Sequence, residues 1–257
     1  MIRLEHINLT LGGAQILKDI SLEVENGATD VILGASGSGK TTIMRVMLGL
    51  VRPDSGKVFI NGEELTALDD DELYRVRNIM GMVFQGGALF DSLTVGENVG
   101  YRLKELRSLD EGVIEEQVRK SLRFVGLEDS IDQMPAELSG GMKKRVAIAR
   151  GIAPSPKILF YDEPTAGLDP VNAYNINMLI NRLRDEEGVT SVVVTHDMPS
   201  AFTVANKIAF IHEGVLVYVG GKEGLLQSSD PRVKDFLLHS SGLTGVAGAA
   251  SRTALDS

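Results

Sequence analysis

The sequence predicts an α/β chain with a mostly parallel core sheet, an antiparallel β unit at its start and a helical insertion in its middle. Three observations carry that expectation. The runs Val31-Ile32-Leu33, ILFY at 158–161 and VVV at 192–194 are continuously apolar and separated by helical patterns. Strands buried on both faces read that way. Residues 1–30 instead alternate apolar and polar, through Ile2, Leu4, Ile7 and Leu9 and then Ile16, Ile20, Leu22 and Val24, which is the period of half-buried antiparallel strands. Between about 70 and 156 the apolar spacing changes to three and four residues, the helical period.

Each element follows in order. Asn26-Gly27 turns the chain into the first buried strand. GASGSGKTT follows that strand and leads into IMRVMLGLV, giving strand, glycine-rich loop and helix. KVFINGEEL reads as a hairpin turning at Asn61-Gly62, and DDDELYRVRNI as a helix with acids in its first turn, where the helix dipole favours them. MGMVFQ is a short strand, and VGENVGYRLKEL, EGVIEEQVRKSLRFVGL and GMKKRVAIARGIA are helices, the last stopped by Pro154 and Pro156. KILFYDEP and TSVVVTHD are buried strands. Between them PVNAYNINMLINRLRDEEG is a helix with proline at its first position. MPSAFTVAN is a helix, and KIAFIHEGVLVYVGG a hairpin over Glu213-Gly214. The small, polar residues 241–257 are expected to form a flexible tail.

Composition narrows the function. A chain of 257 residues that is 43% apolar and 24% charged buries a sizeable core and is not disordered. With 26 Lys and Arg against 35 Asp and Glu, the formal charge is −9. No long basic run is present, so nucleic acid is not an expected partner. The absence of cysteine excludes disulfides, thiol catalysis and cysteine-ligated metal, and suits a reducing cytosol. The start MIRLEHINLTL has no signal-type apolar core, and no window approaches 18 uninterrupted apolar residues. Any membrane role is expected to come through a partner.

Three motifs point to phosphate chemistry. Gly34, Ala35, Ser36, Gly37, Ser38, Gly39, Lys40 and Thr41 match a phosphate-binding loop, with Thr42 continuing it. Glycines let successive backbone N–H groups converge on one anion, and the following helix adds its positive end. Lys40 is expected to reach the β- and γ-phosphates and Thr41 to ligate Mg²⁺; the plainer alternative is a tight strand–helix turn. In ILFYDEP, Asp162 and Glu163 stand at the carboxyl end of a buried strand, where open α/β sheets bind ligands. Asp162 is expected to hold Mg²⁺ and Glu163 to polarise the attacking water. Leu138-Ser139-Gly140-Gly141-Met142 precedes a helix whose first turn carries Lys143, Lys144 and Arg145. Cations there oppose the dipole, which makes sense beside a bound anion. Taken alone, Ser139 reads more simply as an N-cap.

The order GASGSGKTT, Gln85, LSGGM, ILFYDEP, Gly167-Leu168-Asp169 and His196 resembles the ATP-binding-cassette ATPases over about residues 2–240. The resemblance implies a cassette spanning 1–240, with a helical signature subdomain at about 86–156 and an antiparallel β subdomain. It implies that two copies pair head to tail around two ATP molecules. The loop of one copy then faces Ser139, Gly140 and Gly141 of the other, with Asp169 across the interface. Gln85 would contact Mg²⁺ and the attacking water and couple the site to the membrane partner. His196 would contact the γ-phosphate, and Glu163 would be the catalytic carboxylate. His6, His212 and His239 fit no motif. Two departures stand out: Leu11 falls where the family usually stacks an aromatic on adenine, and Met142 where it usually places Gln. Base selectivity is then expected to weaken.

The ALFDSLTVGENV stretch after Gln85, with LSGGM, looks like the cassettes of phospholipid transport systems that work with mammalian-cell-entry-domain (MCE) proteins in Gram-negative envelopes. On that likeness Ala88, Leu89 and Phe90 line the groove for a permease helix; otherwise they pack the helical subdomain. The implied assembly is a homodimer on two permease subunits at the cytoplasmic face of the inner membrane, with an MCE-domain lipid-binding protein and a small regulatory subunit as further partners. Another cargo (amino acid, metal or lipoprotein), a non-transport cassette on nucleic acid or ribosomes, and a nucleotide-binding regulator without turnover are the rival readings.

Overall fold

The computed structural model describes residues 1–105 and 109–240; the expected tail at 241–257 lies outside the described residues. β1 (Ile2–Leu11) and β2 (Ala14–Val24) pair antiparallel over Gly12 and Gly13. Their alternation buries Ile2, Leu4, Ile7 and Leu9 beside Leu17, Ile20, Leu22 and Val24. β3 (Thr29–Leu33) leads through the glycine-rich loop into α1 (Lys40–Met47). β4 (Ser55–Ile60) and β5 (Glu63–Glu64) turn over Asn61 (φ 51°) and Gly62 (φ 88°), the two left-handed residues that a tight two-residue hairpin needs. α2 (Asp70–Arg77) opens with a reciprocal cap: Asp69 Oδ1 accepts from the Glu72 N–H, and Glu72 Oε2 accepts from the Asp69 N–H.

β6 (Met80–Val83) precedes three helices, α3 (Val95–Glu105), α4 (Glu111–Phe124) and α5 (Gly140–Ile152). The chain then alternates through β7 (Ile158–Asp162), α6 (Pro170–Glu187), β8 (Thr190–Thr195), α7 (Met198–Val204) and the hairpin of β9 (Lys207–His212) and β10 (Val215–Gly220). Two short helices not foreseen from periodicity follow, α8 (Lys222–Leu226) and α9 (Pro231–Ser240). The start signal of α9 is legible: Pro231 stands at the first helical position, and Asp230 accepts from the Arg232 N–H. The Phe236 ring of α9 lies 5.0 Å from that of Phe210.

One sheet is antiparallel, in the order β2-β1-β4-β5. The other runs β10-β9-β3-β8-β7-β6, parallel from β9 to β6 with β10 as an antiparallel edge. Successive side chains of a strand point to opposite faces, so Val31, Leu33, Tyr161 and Val193 pack in the core under α3–α7, while Ile32, Phe160, Val192 and Val194 pack in the core shared with the antiparallel sheet and α1. Two cores, one on each face, are why these strands are apolar without alternation.

Asp30 breaks that apolar rule on β3. It is buried, with Lys207 Nζ 3.4 Å away, and burial pushes its carboxyl up to about 6 despite the nearby ammonium. A folded value above the unfolded 3.8 means that its stabilising contribution is fully present below the unfolded value and is lost as pH rises through about 6. Asp30→Asn, a neutral isostere, is expected to raise stability at pH 7.5 by roughly 1–3 kcal/mol. That advantage is expected to narrow between pH 7 and 4.5 in urea titrations; a gap independent of pH would refute the assignment.

Candidate active site

Parallel pairing sets Leu33 opposite Thr195 and Asp162 opposite Val194. The carboxyl ends of β3, β7 and β8 therefore finish level, and the residues just beyond them meet. The loop after β3 is built on its glycines. A Cβ on Gly34 would collide with the Ile211 carbonyl oxygen, and Gly39 sits at φ 108°, where an added Cβ would press on Leu17 and the Ile16 carbonyl oxygen. Ala35, Ser36 and Gly37 are exposed, while Gly34, Ser38 and Gly39 are buried. The loop thus turns its outer rim to solvent and its base to the protein. It is further anchored by the Gly214 N–H, which donates to the Ser38 carbonyl at 3.0 Å.

Lys40 is 5% exposed. Its Nζ donates to the carbonyls of Gly34 and Ala35, both at 2.9 Å, and lies 3.8 Å from Glu163 Oε1. Burial holds its ammonium below the usual lysine range, and the charges of Glu163 and Asp162 pull it partly back. Thr41 Oγ1 donates to Asp162 Oδ1 at 3.1 Å, joining residues 121 positions apart. Burial raises the Asp162 carboxyl, which the Thr41 bond offsets in part. A hydroxyl and a carboxylate converging beside the phosphate loop form an all-oxygen donor pair, the chemistry a hard divalent cation takes. Thr42 lies one residue further along α1, half-buried.

Glu163 is held more tightly than its motif implied. It is 8% exposed, and its backbone is left-handed, φ 46°. Its N–H donates to the Val194 carbonyl at 2.8 Å. Oε2 accepts from Thr195 Oγ1 at 3.0 Å, and Oε1 lies 2.9 Å from His196 Nδ1. The His196 side chain is 53% exposed, so its far edge faces outward while its near edge meets the carboxylate. Thr195 went unremarked in the sequence, although its place between a buried strand and His196 was the available signal.

The remaining residues lie apart from this cluster. Ser139 caps α5, its Oγ accepting from the Met142 N–H at 3.3 Å. Asp169 caps α6, its Oδ1 accepting from the Val171 and Asn172 N–H groups at 3.0 Å. Asn172 Nδ2 donates to Asp169 Oδ2 at 2.5 Å, and a Cβ on Gly141 would stand 2.6 Å from Asn172 Oδ1. Asn172 therefore links the turn of Ser139, Gly140 and Gly141 to Asp169. Gln85 is exposed in the loop after β6, and Leu11 is exposed, at 46%, on the β1–β2 hairpin that abuts Gly39.

The basic turn of α5 differs from expectation. Lys144 is buried, and its Nζ donates to the carbonyls of Gln85 and Glu163; Arg145 donates to the Val125 carbonyl at 3.1 Å. Two of the three cations thus satisfy backbone oxygens of their own chain. Only Lys143 keeps its ammonium without such a bond among the described residues.

Comparison with known proteins agrees with this geometry. The family described as ABC transporter matches residues 17–166. MlaF of Escherichia coli (strain K12), the ATP-binding protein of an intermembrane phospholipid transport system, is 38% identical over 237 residues, covering 92% of this chain and 88% of that protein. MlaF of Haemophilus influenzae is also 38% identical over 237 residues, covering 92% of this chain and 90% of that one. A solved dimeric ATP-binding cassette in a post-hydrolysis state, bound to ADP and Pi, superposes with a TM-score of 0.79 at 33% identity over 86% of this chain and 98% of its own. With its phosphate loop, acidic strand end and capped signature turn in place, and a family match over more than half its length, this chain belongs to the ABC transporter family of ATP-binding cassettes.

Proposed function

We propose that this chain is the ATP-hydrolysing subunit of a transporter, that two copies close head to tail on two nucleotides, and that the cycle drives phospholipid movement through a membrane permease. The observation that carries the catalytic part is the convergence of Lys40, Thr41, Asp162, Glu163 and His196 at the level ends of three parallel strands.

In this reading the glycine-rich loop from Gly34 to Thr42 cradles the phosphates with backbone N–H groups, and Lys40 exchanges its carbonyl partners for β- and γ-phosphate oxygens. Thr41 and Asp162 would hold Mg²⁺, with Gln85 contributing from its loop, and the ion would supply positive charge to the phosphates. Glu163 orients the attacking water and takes its proton. Its two oxygens are already steered by Thr195 and His196, so little reorientation is needed. His196 uses its exposed edge to approach the γ-phosphate. Ser139, Gly140 and Gly141 of one copy offer the capped start of α5 to the nucleotide of the other, and Asp169 meets the same interface. Asn172 supports both features at once. The exposed Leu11 covers the adenine by apolar contact without stacking.

For the permease, Phe84 and Phe90 are both 42% exposed beside Gln85, and the Phe90 and Tyr101 rings lie 4.7 Å apart. A patch of exposed aromatics next to a catalytic loop suits a docked helix. Among the described residues no helix is long and apolar enough to cross a membrane; in this reading the chain attaches to the inner face of that membrane through the partner. The likeness to MlaF supports phospholipid as the cargo, and with it an MCE-domain protein and a small regulatory subunit as companions.

Glu163→Gln is expected to keep nucleotide affinity while kcat falls roughly 10²- to 10³-fold and dimers accumulate with MgATP in size-exclusion chromatography. Unchanged turnover would remove Glu163 from its role. Lys40→Ala is expected to weaken nucleotide binding by roughly 100-fold or more, measured by calorimetry. Leu11→Tyr is expected to leave ATP affinity equal or tighter and to raise the preference for ATP over GTP; a clear loss would move the base elsewhere.

A further inference from the structure

Lys144 is 7% exposed on the second turn of α5, a place where an ammonium needs partners. It has two, neither of them a carboxylate oxygen: the backbone carbonyls of Gln85 and of Glu163, the latter at 3.4 Å. One ammonium thus bridges the loop after β6 and the residue after β7. The Glu163 carbonyl belongs to a left-handed backbone position and also accepts from the Ala166 N–H at 3.2 Å. Arg150, one and a half turns further along α5, donates to the carbonyls of Gly87 and Ala88, both at 2.7 Å. The loop at 84–90 is therefore fastened to α5 at two points by cations, and of the two only Lys144 reaches on to Glu163.

We infer that Lys144 is a positioning residue: it holds the Gln85 loop and the Glu163 backbone in one register with α5, the helix whose capped start faces the partner copy. This rests on the ATPase reading above. It adds that engagement of α5 at one nucleotide is transmitted through a single side chain to the hydrolytic residues of the other. Burial lowers the lysine's affinity for its proton, while Glu163 and Asp162 favour the charged form, so the tether is an ammonium held by the very site it organises.

The test compares Lys144→Met, which keeps the stem and removes the ammonium, with Lys144→Arg. In Lys144→Met, ADP affinity and KM for ATP are expected to stay within about threefold while kcat falls roughly tenfold or more. Amide exchange at residues 84–90 is expected to quicken, and Lys144→Arg to recover most of both. A kcat within twofold of the parent, or exchange at 84–90 unchanged in Lys144→Met, would overturn the inference. Should the Met variant not fold, Lys144→Gln is expected to show the same direction with a smaller effect, and a parent-like result there would also overturn it. A parent protein without turnover would instead defeat the ATPase reading; the exchange comparison would still decide the role of Lys144.

Discussion

The parallel pairing of β3 with β8 and of β8 with β7 is the constraint on which the rest depends. Because Leu33 stands opposite Thr195 and Asp162 opposite Val194, three strands that finish at Leu33, Asp162 and Thr195 end at one height. A slip of one strand by a single residue would turn its side chains to the wrong face. Val31 and Ile32 would then exchange cores. The packing of two apolar layers therefore holds the register, and the register holds Lys40, Asp162, Glu163 and His196 within reach of one another. In the proposed reading, catalytic geometry is a by-product of where valines and isoleucines must go.

Around that frame the site is kept by short-range devices. Gly34 and Gly39 let the loop approach Ile211 and Leu17 as closely as it does. Lys40 turns inward to the loop's own carbonyls. Thr195 and His196 take one oxygen each of Glu163. On the outer side, Asn172 lies against Gly141 and donates to the Asp169 cap, so the surface offered to a second copy in the proposed reading is organised within one chain. Most of these devices use a hydrogen bond or a missing side chain, contacts that are exchanged for phosphate in the proposed ATPase reading.

Much of this was legible in the residues. The period-two opening, the buried Val and Ile runs, the Asn61-Gly62 turn and the proline at the start of α6 each specify local structure by themselves, and all appear where the sequence placed them. The phosphate loop and the acidic pair were legible because their chemistry needs adjacent residues. What escaped was tertiary. Lys144 sits in a run of three cations, and nothing local separates the two that reach backbone oxygens from Lys143, which makes no such bond among the described residues. Thr195 looks like any strand residue until β7 is set beside β8. α8, of five residues, is too short for its period to stand out, and the half-buried Phe236 of α9 meets Phe210 only once the chain is folded.

The left-handed backbone at Glu163 has an evolutionary corollary. A residue with a Cβ is strained at φ 46°, and glycine or asparagine would relax there. Under selection for stability alone, drift would carry this position toward those two residues. A glutamate there carries a local conformational cost, set against the hydrogen bonds its carboxylate makes with Thr195 and His196.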